Sequence, residues 1–187
     1  MNLGILGGSF NPVHNAHLVV ATRVAEALDL DRVLFIPTAI SPLKPPRDLA
    51  PAPHRWAMLR LALRGNPRFR ACDLEMRRGG VSYTVDTLRE IRRRTEARLH
   101  LIVGADALNL LPQWKESREV RALATLVVVA RPGHRTRLRM PKNHIVDVPL
   151  LDISGTEIRD RVCKGLSVRY LVPEAVERYI RKKGLYR

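Results

Sequence analysis

Cysteine is nearly absent: the 187 residues hold two, Cys72 and Cys163. Two cysteines so far apart make neither a disulfide framework nor a thiolate zinc site. They suit a reducing compartment, so a cytoplasmic protein is expected. Long apolar runs are missing as well. No stretch reaches the ~18 residues of a membrane span. The opening MNLGILGG has neither the basic lead nor the apolar core of a secretory signal, so no membrane partner is expected. Acidic residues are few, 18 against 33 basic ones, which leaves a net charge of +15. Lysine is scarce too, since 27 of the basic residues are arginine and six are lysine. Such a balance attracts polyanions or phosphorylated small molecules, and arginine favours two-pronged contact with phosphate or carboxylate. A merely arginine-rich surface gives the same totals, so charge alone names no function.

What is present is ordinary for a globular chain: 45% hydrophobic and 27% charged residues, and enough length for a full core. Apolar, β-rich runs recur at 3–6, 32–36, 99–103, 125–130 and 145–148. Between them, 16–30, 53–64 and 85–94 carry apolar residues at helical spacing: Leu18, Ala21, Ala25 and Leu28; Trp56, Leu59 and Leu63; Val85, Leu88 and Ile91. Continuous apolar strands alternating with amphipathic helices predict an α/β fold, Rossmann-like and doubly wound around a mostly parallel sheet. A small C-terminal part, about residues 154–187, reads as helices only, at 156–164 and 173–182. Pro173 suits the first helical position there and Gly184 the stop. Two proline-bearing loops, 37–53 and the very basic 131–141, are long enough to be functional. No linker divides the chain, so one domain over residues 1–187 is expected.

The first run leads into Gly7-Gly8-Ser9-Phe10-Asn11-Pro12-Val13-His14-Asn15-Ala16-His17. A strand, a glycine loop and a helix start form a ligand-binding arrangement in open α/β sheets, with the helix N-terminus favouring phosphate. Gly4, Gly7 and Gly8 fit neither the P-loop spacing nor the dinucleotide fingerprint. His14 and His17 lie three apart, on one face of the helix start. A helix N-terminus disfavours added positive charge, so the pair reads either as ordinary surface or capping histidines or, with the glycine loop before them, as contacts to a bound anion. A zinc reading lacks a third ligand nearby. Near the other end, Ile153-Ser154-Gly155-Thr156-Glu157-Ile158-Arg159 offers a helix start with Ser154 or Thr156 as cap and Arg159 one turn on. This is either a plain capping motif or a phosphate cradle. Asp106 and Thr84 read as helix caps or as ligand contacts, and Trp114 as a packing residue or a stacking platform.

The glycine–histidine segment resembles the G-(S/T)-F-(D/N)-P-x-H-x-G-H signature of the nucleotidylyltransferases, with Ala16 where the family usually has glycine. The second segment resembles that family's I-S-(S/G)-T-x-I-R motif. Four more stretches resemble bacterial nicotinate-nucleotide adenylyltransferases over nearly the whole chain. They are the proline loop from Pro37 to Lys44, Ser82-Tyr83-Thr84-Val85-Asp86-Thr87-Leu88, Gly104-Ala105-Asp106 with Leu111-Pro112-Gln113-Trp114, and Arg131-Pro132-Gly133. Leu43-Lys44 stands where that family more often has His-Lys.

The resemblance implies a single nucleotidylyltransferase domain that transfers the adenylyl group of ATP to nicotinate mononucleotide. The products are deamido-NAD and pyrophosphate, in NAD biosynthesis, and Mg²⁺ accompanies the ATP. It implies an ATP site of Gly7, Gly8, Ser9, Phe10, His14, His17, Gly104, Asp106, Arg131, Ser154, Thr156 and Arg159. Of these, His14, His17 and Arg159 would serve the reaction. Ser9, Lys44, Thr84, Trp114 and Lys115 would hold the mononucleotide: Trp114 stacking on the pyridine ring, the backbone N–H groups of Thr84 and Lys115 on its carboxylate. A homo-oligomer is left open. The nearest alternative is an adenylyltransferase acting mainly on nicotinamide mononucleotide. The remote one is a basic nucleic-acid-binding protein, favoured by the charge and by Arg92-Arg93-Arg94. No nucleic-acid-binding signature accompanies that run, and it falls mostly on the solvated face of a predicted helix, so no specific nucleic acid partner is expected.

Overall fold

The computed structural model describes residues 1–42, 49–130, 145–149 and 151–187. Six strands form one sheet: β1 (Asn2–Gly8), β2 (Arg32–Pro37), β3 (Phe69–Ala71), β4 (Arg98–Gly104), β5 (Thr125–Ala130) and β6 (Ile145–Asp147). Their order is β3-β2-β1-β4-β5-β6, every pair is parallel, and the doubly wound arrangement expected from the sequence is present. All five apolar runs became strands. The sixth, β3, has three residues and too little pattern to be read. The helices are α1 (Asn15–Ala27), α2 (Ala52–Leu63), α3 (Leu74–Arg78), α4 (Thr84–Arg92), α5 (Ala105–Asn109), α6 (Ser117–Leu123), α7 (Gly155–Cys163) and α8 (Glu174–Lys183). None of the described helices is long and apolar enough to cross a membrane.

Alternate strand residues feed two cores, which is why the runs are apolar throughout rather than alternating. Val33, Phe35, Ile102 and Val127 face α1, α2, α7 and α8, where Val24, Met58, Ile158, Val176 and Ile180 meet them. Leu3, Ile5, Ile36, Leu101 and Val103 face α4, α5 and α6 through Val85, Leu88, Ile91, Leu108 and Val120. The C-terminal helices therefore share the first core. The turn after α1 comes sooner than periodicity suggested, because Asp29 takes a left-handed φ of 46° and Leu30 folds back to bond Ala25. Pro173 caps α8 from outside rather than occupying its first turn, with ψ at 144°, and Gly184 ends the helix in the left-handed conformation.

The sheet opens a crevice where the chain reverses its winding direction. β1 and β4 pair only from Asn2 with Arg98 to Ile5 with Leu101, while β1 runs on to Gly8 and β4 to Gly104. Beyond Ile5, β1 stays bonded to β2 up to Gly8 with Pro37. The carboxyl ends of the two central strands thus separate between Gly7-Gly8 and Gly104, the position at which such sheets hold their ligands.

Candidate active site

Above the end of β1 the chain turns sharply. Phe10 takes a φ of 45° and is 1% exposed. Its ring packs against Phe35 and edge-on to His17, with centroids 5.0 Å apart in the latter pair. Phe10 therefore belongs to the core and supports a histidine, and its side chain does not face the crevice. His14 caps α1 and His17 is the third helical residue. The backbone N–H of His14 donates to Nδ1 of His17 at 3.2 Å, and the two rings lie 3.7 Å apart. With Nδ1 accepting, the neutral His17 ring carries its proton on Nε2. Ala16 is buried in the first turn of α1.

The second motif comes to the same place. Ser154 caps α7, its Oγ accepting from the Glu157 N–H at 3.1 Å, and Thr156 lies inside the helix. Arg159 donates from Nη1 to the Asn11 carbonyl at 2.9 Å and from Nη2 to Thr156 Oγ1 at 3.3 Å. A Cβ on Gly155 would lie 2.9 Å from that same Asn11 carbonyl, so only glycine allows the two segments this close. The starts of α1 and α7, where the positive ends of two helix dipoles lie, therefore flank one glycine loop. Asn11 is held further through Oδ1, which accepts from Ala50 N–H at 3.1 Å and from the Tyr186 hydroxyl at 2.8 Å. Burial raises the Tyr186 phenol above its usual pKa, so it stays a donor. Asn15, the first residue of α1, is tied to the C-terminal segment by its N–H to Leu171 and its side-chain amide to Tyr170.

A second group gathers beside α4. Tyr83, not Thr84, caps that helix, and Thr84 is its first residue. Lys115 Nζ lies 3.1 Å from Asp86 and 4.8 Å from the Tyr83 ring centre. Trp114 is half-buried against the second core, and its Nε1 is buried without an acceptor among the described residues. Gly104 caps α5 and Asp106 stands exposed in its first turn. Gly7 and Ser9 are exposed at the mouth of the crevice and Gly8 is half-buried. Lys44 and Arg131 lie outside the described residues.

Three supporting residues escaped sequence reading. Arg55 sits in an amphipathic pattern whose apparent apolar face is Trp56, Leu59 and Leu63, yet α2 buries Arg55, Met58, Leu59 and Leu63. Glu75 lies on a five-residue helix too short to show periodicity. Tyr186 meets Asn11 only because the chain folds back. Arg92 also departs from expectation: its guanidinium donates to the carbonyls of Ala97 and Leu123 instead of standing in solvent.

The family model described as cytidylyltransferase-like matches residues 5–161. A probable nicotinate-nucleotide adenylyltransferase of Thermus thermophilus is 49% identical over 188 residues, covering 100% of both chains. One of Roseiflexus sp. (strain RS-1) is 45% identical and covers 99% of this chain and 98% of its own. This chain belongs to the nicotinate-nucleotide adenylyltransferase family. Its fold matches that of the Plasmodium falciparum nicotinic acid mononucleotide adenylyltransferase complexed with NaAD, with a TM-score of 0.79 at 19% identity over 99% of this chain and 97% of that one. As a member of this family of nucleotidyltransferases, the chain carries the histidine signature and the Ser154–Arg159 motif side by side rather than at unrelated surfaces.

Proposed function

We propose that this chain transfers the adenylyl group of ATP to nicotinate mononucleotide, releasing pyrophosphate and deamido-NAD. The observation that carries the reading is the contact of Arg159 with Asn11, which joins two phosphate-type helix starts over the β1 glycine loop. The mononucleotide's phosphate is anionic at neutral pH and serves as nucleophile without a general base. Its oxygen bonds to the α-phosphorus of ATP as the bond to the β-bridging oxygen breaks, and pyrophosphate leaves with that electron pair. The task is to align two anions and stabilise charge on transferring oxygens.

In this reading His17 directs Nε2–H at the α-phosphate. His14 supports the triphosphate, and Arg159 with Ser154 and Thr156 holds the departing pyrophosphate. Gly104 and Asp106 take the adenosine side. Trp114, Thr84 and Lys115 take the pyridine ring and its carboxylate, with Ser9 and Lys44 toward the mononucleotide phosphate and Arg131 toward ATP. Backbone N–H donors match a carboxylate and oppose the NH₂ of an amide, each unpaired donor costing about 1–3 kcal/mol. Mg²⁺ enters with ATP. Among the described residues no group of three or more His, Cys, Asp or Glu is placed to hold a metal; bound with ATP, the ion would shield the phosphate charge that Arg159 and the histidines face.

Pyrophosphate release from ATP and Mg²⁺ is compared with nicotinate mononucleotide, nicotinamide mononucleotide and phosphopantetheine as acceptors. Preference for the nicotinate form supports the assignment. Activity only with another acceptor keeps the ATP site and replaces the substrate.

A further inference from the structure

Arg55 is 1% exposed, the largest side chain so deeply buried among the described residues. It projects from the first turns of α2 back toward the helix start, as long helical side chains do. Its Nε–H donates to the Ala50 carbonyl at 3.0 Å, and its Nη1 donates to the carbonyls of Ser9 at 2.9 Å and Thr38 at 2.8 Å. All three acceptors are neutral, and no carboxylate among the described residues pairs with the guanidinium. Burial accordingly lowers its pKa from the usual arginine value. A buried cation without a counter-charge is costly. Filling space alone therefore does not account for arginine here.

The three carbonyls do account for it. Ser9 belongs to the glycine loop after β1, Thr38 is the first residue beyond β2, and Ala50 lies two residues before α2. Three carbonyl oxygens converging on one side chain need several N–H donors between them, and guanidinium's planar fork fixes their separation. Thr38 N–H adds a bond to Gly8 and Ala50 N–H one to Asn11. We infer that Arg55 is a positioning residue for adenylyl transfer: its fork sets the gap between the glycine loop and the β2 exit, and so the approach of the two bound phosphates. This rests on the proposed function, in which ATP lies over the glycine loop and the mononucleotide phosphate goes to Ser9 of that loop and to Lys44, which follows β2 in sequence. Arg55 touches neither substrate.

Arg55→Lys keeps the charge and loses the fork; Arg55→Gln loses both. The expected result for Arg55→Lys is a kcat ~10–100-fold lower per folded molecule, the scale of a misalignment near 1 Å, with KM for ATP within about threefold. Wild-type kcat per folded molecule in Arg55→Lys overturns the inference. A measurement on the unaltered protein covers variants that fail to fold. In ¹⁵N-arginine-labelled protein the Arg55 Nε–H signal should exchange far more slowly than that of exposed Arg23. It should also shift when nicotinate mononucleotide and α,β-methylene-ATP are added together. Exchange as fast as Arg23, or a signal unmoved by both ligands, overturns it. If the wild type transfers no adenylyl group to any acceptor, the proposed function fails, and the exchange rate still judges the fork.

Discussion

Arg159 donates a hydrogen bond to the backbone carbonyl of Asn11 across 148 residues of sequence. The two motifs therefore share one bond, and the glycine between Ser154 and Thr156 decides whether they can. Gly155→Ala puts a methyl group 2.9 Å from the Asn11 carbonyl, closer than carbon and oxygen settle without movement. Backbone must shift on one side. The expected outcome is a kcat lower by ~10–100-fold with the fold retained, read by pyrophosphate release beside circular dichroism. An active Gly155→Ala enzyme removes the close approach from the mechanism.

His17 is held by the His14 N–H at Nδ1 and by the edge of Phe10. His17→Ala should lower kcat by ~100-fold or more, the loss typical of a donor aimed at developing charge, with KM for the mononucleotide little changed. A loss in KM alone would reassign His17 to ground-state binding.

Tyr186→Phe removes the hydroxyl from Asn11 Oδ1, which still accepts from Ala50 N–H. No buried acceptor is left unpaired, so the cost should be about 1 kcal/mol in urea unfolding. A cost above about 3 kcal/mol would mean that the ring holds more of the C-terminal segment than this bond explains.

Glu75 is 7% exposed and accepts from the Thr87 hydroxyl at 2.7 Å. Burial, opposed by bonds from Thr87 and Ser82 and by the Arg78 charge, raises its carboxyl above the usual value of 4.5. The folded state then binds this proton more tightly than the unfolded chain. The group's contribution is full below about pH 4.5 and is lost as pH rises through the folded pKa. Glu75→Gln keeps an acceptor for Thr87 and removes the titration. Thermal unfolding from pH 4 to pH 8 should show the variant gaining on the wild type as pH rises. A variant that falls further behind at pH 8 contradicts this sign.

The fold was legible where segments were long and uniform. The five apolar runs and the alternation between them require a parallel sheet covered on both faces. Elements of three to seven residues, β3, α3, α5 and α6, give periodicity nothing to act on. The histidine pair was legible because its spacing is local and its glycines are contiguous with it. Arg55 was not, because one helix turn puts an arginine beside Met58 and Leu59 on the buried face, and only the carbonyls of Ser9, Thr38 and Ala50 explain why. Asn11 and Tyr186 meet through folding, and no spacing rule spans that distance.

The surroundings of Arg89 bear on how an acid is told from an amide. Arg89 bonds Glu116, Glu119 and Asp86, and Lys115 bonds Asp86 as well. Three carboxylates thus face two cations beside Tyr83 and Thr84, on an otherwise strongly basic protein. That corner exerts no attractive field on an incoming pyridine carboxylate, so recognition there must come from the direction of short-range donors. Added salt should therefore depress kcat/KM for nicotinate and nicotinamide mononucleotides together, the nicotinate form slightly more for its one extra charge on a protein of net charge +15, while its preference persists at high salt. A ratio that collapses with ionic strength would instead mean that long-range charge does the sorting.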